Sequence, residues 1–166
     1  MEKKKLSIIS NIQKNVHSRK WKCIINTCSN VAINSHLLQR NGILDKIAED
    51  GHLIELRRSD IFKFESHAVP IEFKRLGISN ALALPLFCSE CDSSIFKKIE
   101  SDALDTQDYE SLLLLSYRAI CAEQRKKERV VEIYKRIMEA KSLRGEFDRR
   151  FPALILKGNE LGIKDL

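Results

Sequence analysis

The chain has 166 residues, 43% of them hydrophobic and 31% charged, the balance of a folded protein rather than a disordered one. No apolar run approaches the roughly 20 residues needed to cross a bilayer, so a soluble, cytoplasmic protein with no membrane partner is expected. The net charge of +6 is carried by the first 22 residues, where seven Lys and Arg face Glu2 alone; the remaining 22 basic and 22 acidic residues cancel. Any affinity for a phosphate backbone would therefore be concentrated at the N-terminus and in local clusters, a role in solubility alone being the other reading of this basic leader.

Residues 4–18 place Leu6, Ile9, Ile12 and Val16 at helical spacing, with most lysines on the other face. Trp21 follows and is expected to pack against a core, an exposed ring stacking on a base being the alternative. Next come Cys23-Ile-Ile-Asn-Thr-Cys28, a C-x4-C step, and a short apolar strand closed by His36. Leu37 to Arg40, broken by Asn41-Gly42, and Ile43 to Ala48, stopped by Asp50-Gly51, read as two short helices, and His52 to Leu56 and Ile61 to Phe64 read as strands joined through Arg57 to Asp60. A strand end at Leu86-Phe87 then runs into Cys88-Ser-Glu-Cys91, a C-x2-C step, and a helical run from Ser93 to Glu100.

Two cysteine pairs, each able to aim two thiolates from one turn, point to a metal site at Cys23, Cys28, Cys88 and Cys91. Zn2+ is the natural occupant, and a closed four-cysteine site is structural. Buried thiols packing as small hydrophobes, or disulfides in an oxidising compartment, are the other readings. Cys121 lies in a helical pattern and is expected to be a core thiol.

From Tyr109 to Leu143 there is neither Gly nor Pro, and a long helix is expected with apolar stripes at Leu113, Tyr117, Ile120 and Cys121, and at Val130, Val131, Tyr134, Ile137 and Met138. Between them Glu123 to Arg129 reads as a solvated charge run. Pro152 is expected to open a final helix. The division that follows is a basic N-terminal helix over 1–20, a zinc-binding domain over 21–107 and a helical C-terminal region over 108–166, in an α+β fold.

A cysteine pair, a strand ending in His36 and a second C-x2-C leading into a helix resemble the HNH endonuclease family over residues 21–100. Phe87-Cys88-Ser89-Glu90-Cys91-Asp92 with Phe96-Lys97-Lys98-Ile99-Glu100 also resembles little-characterised bacterial HNH-like proteins associated with antiviral defence. The resemblance implies a treble-clef core on structural zinc and a phosphodiesterase that acts on nucleic acid, DNA more than RNA. It assigns His36 as general base and Asp92 as a ligand of Mg2+ or Mn2+. A second carboxylate would come from Asp50, Glu90 or Glu100. The chain departs from the family at Ser35, where an acidic residue or His is usual, at Asp92, where His is typical, and in the 51 residues between His36 and Cys88. On the other reading His36 steadies the metal knuckle and Asp92 caps the helix after Cys91. The protein is then a degraded nuclease, or a non-catalytic zinc module that assembles with itself or another protein through its C-terminal helix.

Overall fold

In the computed structural model, which describes residues 2–58, 71–101, 104–145 and 148–166, the first element is helix α1 (Glu2–His17). Residues 61–64, expected as a strand, and His67 lie outside the described residues. Strand β1 (Asn34–His36) leads through a π-helical turn (Arg40–Leu44) into the single-turn helix α2 (Asp45–Ile47). Glu49 and His52 then exchange both backbone hydrogen bonds across Asp50 and Gly51, whose φ values of 49° and 69° make the tight turn that an Asp-Gly pair favours.

That turn starts strand β2 (His52–Arg58), which takes in two residues expected as a connection and pairs antiparallel with strand β3 (Ile71–Gly77). Strand β4 (Ala83–Pro85) returns to pair antiparallel with β1, Ser35 opposite Leu84. Helices α3 (Ser89–Ile95) and α4 (Lys97–Ser101) follow, then the 31-residue α5 (Tyr109–Glu139), a 3-10 turn (Lys141–Leu143) and α6 (Arg150–Lys164), with Pro152 in its first turn. Among the described residues the architecture is a mixed helix and strand fold with two small sheets and a helical C-terminal region.

The chain forms two compact units, Lys22–Ala119 and Met1–Trp21 with Ile120–Leu166, so the boundary falls inside α5. In the first unit the core is Leu44, Ala81, Leu86, Phe87, Phe96 and Ile99. The Phe87 and Phe96 rings lie 4.9 Å apart, and Tyr117 stands 6.3 Å from each. In the second unit Val16, Trp21, Cys121, Ala122, Ile133, Ile137 and Leu143 are buried. Helix α1 thus belongs to the same unit as the C-terminal helices.

Two expectations for α5 are corrected. Leu113, Tyr117 and Ile120 are exposed, and the buried residues are instead Ser111, Arg118, Cys121, Ala122 and Arg125. Ser111, Arg118 and Arg125 recur at seven-residue steps, two helical turns, and so share a face. The Glu123 to Arg129 run is not wholly solvated, because the Arg125 guanidinium lies 4.9 Å from the Trp21 ring while the Arg19 guanidinium lies 5.0 Å from it. Trp21 is therefore a packing residue, and its Nε1 donates to the Val16 carbonyl. Of the second stripe Ile137 is buried, as is Ile133 one turn before it, and Lys135 pairs with Glu160 of α6 at 2.9 Å.

Candidate metal centre and the adjoining cleft

The first cysteine pair sits on a knuckle closed by a bridge between Lys22 and Val31. Cys23 N–H donates to the Asn30 carbonyl at 2.8 Å, and Cys28 N–H donates to Ile25 at 2.9 Å, turning both side chains inward. Ile24 N–H reaches the Leu86 carbonyl at 2.8 Å and Ile33 N–H reaches Phe87 at 2.7 Å, so the knuckle is bolted to the segment entering the second pair. There Cys88 is the N-cap of α3, its Sγ accepting from Cys91 N–H at 3.4 Å. Asp92 lies inside the helix, one turn on, and the expectation that it caps the helix is corrected: Cys88 already takes the free amide.

Cys23, Cys28, Cys88 and Cys91 come together with their sulfurs all within 4.8 Å of one another. A tetrahedron with zinc–sulfur bonds of about 2.3 Å has edges of about 3.8 Å, and Cys28 and Cys88 stand 3.6 Å apart. The four are free thiols, well beyond the roughly 2.05 Å of a disulfide. The donor set therefore fits one tetrahedral, thiolate-preferring metal such as zinc, with no position left for substrate. Electrostatics agree, since sulfurs this close cannot all ionise unless a cation lies among them. The Cys91 N–H draws the Cys88 thiol down to about 7. The Cys88 sulfur, with burial and the other two sulfurs, pushes Cys91 up to about 12. At Cys28 the Asn30 backbone amide favours the thiolate, but burial and the sulfurs of Cys88 and Cys23 outweigh it and the thiol is raised. Asn30 was not anticipated: its Nδ2 donates toward Cys88 Sγ at 3.9 Å and to Glu90 at 3.4 Å.

Beside the cluster lies a cleft of about 460 Å3 lined by Ile33, Asn34, His36, Arg40, Asp92, Ser93, Lys97 and Glu100. His36, at the end of β1, donates Nε2–H to the Ile78 carbonyl at 2.9 Å; a carbonyl only accepts, which fixes the tautomer and leaves Nδ1 as the acceptor nitrogen. Asp92 enters from α3. Burial pushes its carboxyl up, Arg118 opposes this, Glu100 adds to it, and the Ser35 hydroxyl and His36 favour the ionised form. Ser35 is buried and also accepts from Phe87 N–H at 3.4 Å, tying β1 to the helix entrance.

Of the three carboxylates considered as a second ligand, Glu100 lines the cleft, whereas Asp50 pairs with Arg75 at 3.6 Å and Glu90 accepts from Asn30. His52 is taken by the Asp50 carbonyl at 2.6 Å. The residue that sequence reasoning missed is Arg118. It is 1% exposed, its guanidinium is 4.0 Å from the Phe96 ring, and it reaches Glu100 at 2.6 Å and Asp92 at 3.6 Å. Nothing in the pattern of α5 singles it out, because its partners Asp92 and Glu100 come from other elements.

No protein-family model matches the chain, and neither does any curated protein or solved structure. What stands is a four-cysteine cluster able to hold a metal and a mixed-polarity cleft beside it. Among the described residues no helix is long and apolar enough to cross a membrane.

Proposed function

We propose that the chain is a zinc-binding, HNH-like protein that acts on the phosphodiester backbone of nucleic acid through the His36 cleft. The observation that carries this reading is that His36, at the end of one strand, and Asp92, on the helix after its antiparallel partner, line the same cleft. The long separation between His36 and Cys88 is taken up in part by the β2–β3 pair, an insertion that leaves the strand, strand and helix order intact. The four thiolates would hold zinc as a structural tie between knuckle and helix, which small folds use in place of a larger core.

In the cleft His36 Nδ1 is the group that takes a proton from an attacking water, while Nε2–H keeps the ring oriented. Arg40 and Lys97 bind the phosphate oxygens. Asp92 would hold Mg2+ or Mn2+, with Glu100 as the second carboxylate, and such an ion supplies charge stabilisation at the leaving oxygen. Among the described residues Asp92 Oδ1 has no hydrogen-bond partner, which suits a ligand atom, although Arg118 competes for its charge. The test is nicking of supercoiled plasmid by zinc-loaded protein with Mg2+ or Mn2+. His36→Ala is expected to lower the rate about 100-fold or more. Equal rates for wild type and variant would reject catalysis.

A second reading, a non-catalytic assembly module, is favoured by exposed apolar side chains on α6, where Phe151, Leu154 and Leu161 lie on one face. Light scattering that gives a monomer at high micromolar concentration would count against self-assembly.

A further inference from the structure

We propose that Arg118 is the buried counter-charge that allows the His36 cleft to accept a phosphodiester. It is a positioning residue, acting through the two carboxylates it neutralises and not by touching the ligand. The inference rests on the reading that this cleft takes nucleic acid.

The cleft lining carries Asp92 and Glu100 against Arg40 and Lys97, a balanced set with no preference for an anion. Arg118, behind the lining, adds a third cation and leaves one positive charge in excess. Its placement makes that charge effective. At 1% exposure it is removed from water, which cannot screen it, and stacking on Phe96 at 4.0 Å fixes the plane of the guanidinium. Nη1 holds Glu100 at 2.6 Å, so one ion pair is fully made. The other is incomplete: Nη2 stands 3.6 Å from Asp92 Oδ1, and among the described residues Nε, Nη2 and that oxygen have no hydrogen-bond partner.

A residue present only to join α5 to α3 and α4 would not need this arrangement. Buried ion pairs are commonly replaceable by apolar side chains at no loss of stability, and orphaned N–H groups carry a desolvation cost. A role for the charge itself accounts for both.

The experiment uses zinc-loaded full-length protein and the dinucleotide d(TpT), followed through the backbone amide shifts of Asn34, His36 and Ser93. Zinc content and circular dichroism are checked for each variant. Arg118→Gln is expected to weaken d(TpT) about tenfold, the effect of one unit charge several ångströms from a phosphate at intermediate dielectric. Arg118→Lys, which keeps the charge, should bind within about threefold of wild type, and adding Glu100→Gln to Arg118→Gln should restore most of the loss. A folded Arg118→Gln protein binding within about twofold of wild type would overturn the proposal. So would d(TpT) leaving those three amides unmoved in the wild type.

If Arg118→Gln does not fold, Glu100→Gln alone decides. Removing that negative charge should tighten d(TpT), and unchanged or weaker binding refutes the counter-charge role. Wild-type protein that binds d(TpT) at these amides but does not nick plasmid rejects the nuclease reading and leaves Arg118 as assigned.

Discussion

Phe96 is the side chain whose removal should be felt most in the Lys22–Ala119 unit. Its ring is fully buried, lies 4.9 Å from Phe87 and 6.3 Å from Tyr117, and supports the Arg118 guanidinium at 4.0 Å. Phe96→Ala takes away a whole aromatic side chain and leaves a cavity beside a buried cation, for which about 3 to 5 kcal/mol is the expected loss. The upper half of that range applies, because the arginine also loses the ring face beneath it. With a urea dependence of about 2 kcal/mol per molar, the midpoint should fall by about 2 M. The measurement is urea unfolding of zinc-loaded protein at fixed free zinc, since metal linkage would otherwise move the midpoint. Phe73→Ala is the internal control. Phe73 is 80% exposed on β3, and its loss should change stability by no more than about 0.5 kcal/mol. A Phe96→Ala loss below about 1 kcal/mol, or equal effects at the two positions, would refute the assignment of the core.

Ser35→Ala should cost about 1 to 2 kcal/mol in the same assay, because the buried Phe87 amide and the Asp92 carboxylate both lose the hydroxyl that joins them; no change would show that the hydroxyl is not the tie. Asp108 is held well below the ordinary carboxylate range, first by the Lys98 ammonium at 2.7 Å and then by the Ser111 hydroxyl and amide at the start of α5. A depressed folded value means stability that is present above the unfolded value of about 3.9 and lost as pH falls toward the folded one. Asp108→Asn should therefore lower the melting temperature at pH 7, with the gap to wild type closing on acidification below about pH 4; a gap independent of pH would contradict the ion pair.

Much of the metal-binding half was legible because cysteine spacing is read directly from the chain. The two pairs converge on one point, and the strand ending at His36 pairs with the strand leading to Cys88. The position of Asp92 within its helix was not legible, since a cysteine is an uncommon N-cap and its sulfur takes the amide that Asp92 was expected to cap. The buried face of α5 was not legible either. Leu112 to Leu115 and the residues around them are apolar on nearly every side, so hydrophobicity could not choose among faces. The face chosen carries Ser111 and Arg118, whose partners Asp108, Asp92 and Glu100 come from outside the helix. A buried arginine is set by long-range charge pairing, and local periodicity is blind to it.

Metal stoichiometry tests the central claim most directly. Purified chain should bind one equivalent of zinc, and cobalt in its place should give the thiolate charge-transfer and tetrahedral ligand-field absorption of a four-sulfur site, both lost in Cys88→Ser. Protein that folds without metal, or binds zinc equally well after Cys88→Ser, would contradict it.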